Sequence, residues 1–238
     1  MNMKLRWSGV LSLVSLATAS LVGCTAGSEV ATPTSGPGTA TASVTPSPTT
    51  AAKISKSQAD SLVAQVALPT NALTTIGDFI EPTKSDTTLT NLTSVCGWSR
   101  QPRINLSART TIWNFDGIEV VQTVVAYESA EADAVLAESR RDMARCEPPV
   151  VFGNYTADQY AEQMPPTYPG VADEYGFSFR VNDGGKVTYE WEIQVGGPDR
   201  HLVADVYADA FDLSDAKSAA LKAATLQATR VAAISLSQ

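Results

Sequence analysis

Apolar and polar positions alternate with a period of two through much of the middle and last third of the chain, and take a helical period around those runs. The first helical stretch opens at Ser57, a capping residue with Asp60 three positions on. It sets Leu62, Val63 and Val66 on one face before Pro69 stops it. A helical or irregular stretch from Asn71 to Phe79 leads to a threonine-rich segment and then to Val95-Cys96-Gly97-Trp98, where Pro102 argues against a strand. Two β-rich runs, Arg109 to Phe115 and Ile118 to Tyr127, flank Asp116-Gly117, which predicts a hairpin with a type I′ turn. In the second run Val120, Val124 and Ala126 share one face and Val121, Val125 and Tyr127 the other, the pattern of a central strand.

Ser129 is placed to cap the next helix, with Glu131 in its first turn and Arg140, Arg141 and Arg145 near its end, the charge order a helix dipole favours. Ala132, Val135, Leu136, Ser139, Met143 and Cys146 fall on one of its faces. The following segment, Glu147 to Gly170, carries Pro148, Pro149, Pro165, Pro166 and Pro169 and reads as a long loop of the kind that is functional or mobile. Tyr175, Phe177, Phe179 and Val181 then alternate with smaller or polar residues, and Asn182-Asp183-Gly184-Gly185 turns the chain. In the next run Val187, Tyr189, Trp191, Ile193 and Val195 alternate with Thr188, Glu190, Glu192 and Gln194, which predicts an antiparallel hairpin with one wet face. A strand near Leu202 to Tyr207 and an alanine-rich helix from Ser214 and Asp215 to about Leu236 complete the chain. Together these elements predict an α+β fold: a twisted antiparallel sheet of about five strands with helices packed mainly on one face.

The N-terminus changes the picture by placing the rest. Leu21-Val22-Gly23-Cys24 has the form of a lipobox, with a small residue before the cysteine and a branched apolar one three places back. Lys4 and Arg6 precede an apolar run from Trp7 to Val22 that suits a signal peptide and is too short and serine-rich for a membrane span. The expectation is a signal peptide over residues 1–23, a diacylglycerol on the Cys24 thiol, and a mature protein on the outer face of the cytoplasmic membrane. Residues 24–55 are almost uncharged Thr, Ser, Ala, Pro and Gly, a tether on the order of 30 Å long. Residues 56–238 remain for one folded domain.

Charge narrows the partners. The formal net charge of −8 becomes −10 once Lys4 and Arg6 leave with the signal, a sign that repels nucleic acid and anionic headgroups. Expected partners are the membrane, through the anchor, and an extracellular ligand or envelope protein. With Cys24 lipidated, Cys96 and Cys146 are the two of the three cysteines left to pair, across about 50 residues, in an oxidising compartment.

Candidate chemistry is sparse. The single histidine, His201, at a strand start, reads as a surface or turn residue and excludes an HExxH pair. There is no G-x-S-x-G elbow and no phosphate loop, because Gly184-Gly185 and Gly196-Gly197 sit where hairpin turns need them. Glu190 and Glu192 are explained as the solvent side of an amphipathic strand, and Asp173, Glu174 and Asp183 lack calcium-loop spacing. No catalytic residue, metal or cofactor is expected. What remains is a cleft in which Trp98, Arg100 and Arg103, beside one end of the disulfide, face Tyr155, Tyr160 and Tyr168 after its other end.

The Cys96-Gly97 element, the run Val120-Val121-Gln122-Thr123-Val124-Val125-Ala126-Tyr127-Glu128-Ser129 leading into a helix with Ala132 and Ala134, and the helix end at Cys146 resemble the PknH-like extracellular sensor domain family. That family occurs at the outer end of actinobacterial receptor kinases and in stand-alone envelope lipoproteins. The resemblance spans roughly Ser57 to the C-terminus. It implies an α+β domain with a cleft for an extracellular small molecule or envelope component. Family members typically hold two disulfides where this chain has cysteines for one, and Met143 stands where a tryptophan is usual. The expected function is that of a non-enzymatic, lipid-anchored binding protein. The alternatives are a lipid or glycolipid carrier, which needs an apolar cavity between sheet and helices, and a hydrolase, which needs convergent acid and base groups in a cleft.

Overall fold

The alternating runs pair into one antiparallel sheet. The computed structural model describes residues 52–80, 84–86, 92, 95–97 and 103–234. Among them lie α1 (Lys56–Val66), β1 (Lys84–Asp86), a 3-10 turn at Val95–Gly97, β2 (Asn105–Phe115), β3 (Ile118–Tyr127), α2 (Ala132–Ala144), β4 (Val150–Phe152), β5 (Tyr155–Gln163), β6 (Asp173–Asp183), β7 (Lys186–Gly196), β8 (Leu202–Ala210) and α3 (Leu213–Ala232). The strand order is β1-β2-β3-β8-β7-β6-β5-β4. The class is α+β as expected, but the sheet has eight strands rather than about five.

The additional strands are β1 and the pair β4 and β5, which occupy most of the segment expected to be loop. Its prolines bracket this hairpin rather than interrupt it. Pro148 and Pro149 precede β4 and Pro165 follows β5, while Gly153-Asn154 forms the two-residue turn that pairs Phe152 with Tyr155. Gly153 has a φ of +56°, which suits glycine in a tight hairpin. A bulge between Asp158 and Ala161, with Gln159 at a φ of +53°, breaks the alternation of β5 and hides it from a period-two reading.

The β2–β3 hairpin turns at Asp116-Gly117, with Phe115 opposite Ile118. Only Gly117 takes a positive φ, so the turn is not type I′, which needs both central residues in the left-handed region. β3 lies between β2 and β8 and is apolar on both sides, as its sequence requires.

Helix starts differ from expectation by a few residues. Ser55, not Ser57, caps α1, in a reciprocal capping box with Gln58. The N-cap of α2 is Glu131 rather than Ser129, and it makes no side-chain cap; instead the backbone N–H of Ala132 donates to the Arg200 carbonyl. Asp212 caps α3 by accepting from the Ser214 N–H.

Two of the three helices, α1 and α3, pack on one face of the sheet as expected, and α2 packs on the other. Val120, Val124, Trp191, Ile193, Leu202, Ala204 and Val206 meet α1 and α3 on the first face. The buried side of α3 is Ala216, Ala219, Ala220, Ala223, Ala224 and Ala228, small residues that let its backbone approach the strands closely. Arg230 ties the two helices by donating to the carbonyls of Gln65 and Val66, two of the C-terminal acceptors that α1 leaves open. On the opposite face Val125, Tyr127, Tyr175, Phe177 and Val203 meet Ala132, Val135 and Leu136 of α2.

Candidate functional site

The face that carries α2 is only partly covered by it, and the open part is acidic and aromatic. Register places Asn114, Glu119, Asp209, Glu190 and Phe179 in one row across five strands. The next row toward α2 is Ile112, Val121, Tyr207, Glu192 and Phe177, and the one after it Thr110, Thr123, Asp205, Gln194 and Tyr175. Side chains directly opposite in such a ladder stand about 5 Å apart, and like charges there destabilise the sheet. Five carboxylates on three neighbouring strands thus share one surface.

These side chains share one partly enclosed surface, here termed the recess. Glu190, Asp209, Tyr207 and Glu119 keep partial contact with solvent. Burial is nevertheless the leading cause that pushes the Glu190 carboxyl well above the ordinary carboxylate range, with Asp209, Glu192 and Glu119 adding to it by charge repulsion. Burial also raises Tyr207, followed by the fields of Glu190, Glu119, Asp205 and Glu192. Asp209 is raised by burial and held down by a hydrogen bond with Thr188 and by the charge of Lys186. Beside them Glu192, Gln194 and Asp205 are buried, so this acidic surface is partly enclosed.

The aromatic wall comes from β5 and β6. Tyr160 stacks on Phe179 with ring centroids 4.9 Å apart, and Tyr155 stacks on Phe152 at 5.3 Å. Burial raises the Tyr155 and Tyr160 hydroxyls, and in both the Glu190 charge is the next cause, so both rings border the same recess.

Helix α2 is wired into the floor. Ser139 Oγ donates to Gln194 Oε1 at 2.7 Å, and Gln194 Nε2 donates to Glu192 Oε1 at 2.7 Å. Glu192 is 1% exposed, which corrects the expectation that it lies on a wet face. Alternation rightly put Glu190 and Glu192 on one side of the strand, but α2 and the edge strands enclose that side. Arg140 fixes the far end of the helix through two bonds of 2.6 Å to Asp173 and one to the Glu174 carbonyl, over the Tyr175 ring.

The expected site residues separate. Tyr155 and Tyr160 lie at the recess. Tyr168 does not: it is buried in the core of the opposite face, with α1 and α3. Arg103 is held by Glu138 at 2.5 Å and Glu131 at 3.5 Å, across α2, rather than facing the tyrosines. Trp98, Arg100 and Cys24 lie outside the described residues. Cys96 and Cys146 are joined, as expected, with their Cα atoms 5.7 Å apart. His201 is buried rather than superficial, its Nδ1 3.4 Å from the Tyr127 carbonyl. Glu119, Asp205, Tyr207 and Asp209 escaped the sequence reading. Their signal was present in Ala204-Asp205-Val206-Tyr207-Ala208-Asp209, whose polar positions mirror Glu190 and Glu192.

Among the described residues no group of three or more His, Cys, Asp or Glu side chains is placed to hold a metal ion, and no helix is long and apolar enough to cross a membrane. The described chain is thus an α+β domain built on a single sheet, with a recess on one face. In fold it is similar to the crystal structure of the extracellular domain of PknH from Mycobacterium tuberculosis, with a TM-score of 0.51 and 15% sequence identity over 76% of this chain and 98% of that one. No family model and no curated protein matches the sequence.

Proposed function

We propose that this protein is a non-enzymatic envelope lipoprotein, anchored through Cys24 and facing outward, whose domain binds a ligand in the acidic and aromatic recess. The observation that carries the binding reading is the row Glu119, Asp209, Glu190, in which three acidic side chains stand opposite one another on adjacent strands. Such a row costs stability, and a function in binding accounts for its presence. The fold likeness to an extracellular domain supports the outward-facing reading, as does the disulfide, a bond typical of oxidising compartments.

A lipid carrier would need an apolar cavity between sheet and helices, where the alanines of α3 instead bring helix and strands close together.

Native mass spectrometry of the full-length protein, solubilised in detergent from its own envelope, tests both parts. The expected result is an N-terminus that begins at acylated Cys24 and a co-purifying small molecule that is lost when Glu190 is replaced by Gln. An N-terminus that retains Met1 to Gly23 would refute the anchor. Full retention of the molecule in Glu190→Gln would refute the recess as its site.

A further inference from the structure

We draw no further inference here: the strongest candidate, the half-buried aromatic wall that Phe152, Tyr155, Tyr160 and Phe179 build on β4, β5 and β6, belongs to the recess already described, and nothing in the structure shows what covers it.

Discussion

Replacing both Cys96 and Cys146 with alanine removes the covalent link between the Val95–Gly97 turn and the end of α2, a closed loop with a sequence separation of 50. In the chain-entropy model the cross-link removes about 14 cal/mol/K from the unfolded ensemble for a loop this long, or about 4 kcal/mol at 25 °C. For a domain of this size that corresponds to a fall in Tm of about 8–16 °C. Equilibrium urea unfolding, followed by tryptophan fluorescence and by far-UV circular dichroism, measures it directly. The unfolded chain without the cross-link is also more expanded, so the m-value should rise. The native contacts beside the bond persist in the variant: a Cβ at Gly97 would already lie 3.3 Å from Val150 and Phe152, so turn and strand are packed together independently of the sulfurs. A loss below about 1 kcal/mol with an unchanged m-value would refute the loop-entropy reasoning and assign the stability of this corner to that packing.

Ser139→Ala leaves the Gln194 amide oxygen buried without its donor and should cost about 1–3 kcal/mol in urea unfolding, while replacing Ser139 with Thr should recover part of the loss. Gly170→Ala places a Cβ 2.9 Å from that of Ala232 at a φ of +85°, and a fall in stability of about 1–3 kcal/mol by thermal melting is expected, with a neutral result excluding the close approach of this loop to α3. Glu190→Gln should alter how stability depends on pH. Its folded pKa is raised, by burial first and then by Asp209, Glu192 and Glu119, so the native state holds a proton that the unfolded state has released. That contribution is fully present below the ordinary glutamate value of 4.5 and is lost as pH rises through the folded value. Subtracting the variant's stability-versus-pH curve from the parent's should therefore leave a difference that favours the parent most at acid pH and declines toward neutrality; a flat difference would refute it.

Period-two alternation made β2, β3, β6, β7 and β8 legible, because residues two apart on a strand must share a face and a buried face must be apolar. The same logic did not reveal β4 and β5. β4 is three residues long, and the bulge at Gln159 resets the phase of β5 halfway along. For the site, alternation correctly grouped Glu190 with Glu192, yet a face shared by two residues can be wet or enclosed, and the difference depends on what packs over it. That information sits in α2, whose apolar stripe names a partner surface without saying which side of the sheet carries it. Tyr168 and Tyr160 show the same gap: eight positions apart in one proline-rich segment, they end on opposite faces of the sheet because Tyr160 is held in β5 while Tyr168 lies in the connection from β5 to β6, which packs into the core with α1 and α3.

Dimensions explain why the recess lies where it does. Strands stand about 4.8 Å apart, so an eight-stranded sheet is about 34 Å wide, and its longer strands extend more than 30 Å. On the first face two helices, one of them the twenty-residue α3, share the covering. The other face has α2 alone among the described helices, thirteen residues and therefore about 20 Å long and 10 Å thick. Among the described residues Leu92, Val95 and Cys96 pack beside it, and together they cover only part of that area. The uncovered strands must then present polar groups to water, or pair them with a partner. Polar but uncharged or mixed-sign side chains would have met the first requirement at little cost. Three acidic side chains in one row, flanked by stacked rings, fit the second better, which is why the acidity of this surface, rather than its polarity, carries the functional reading.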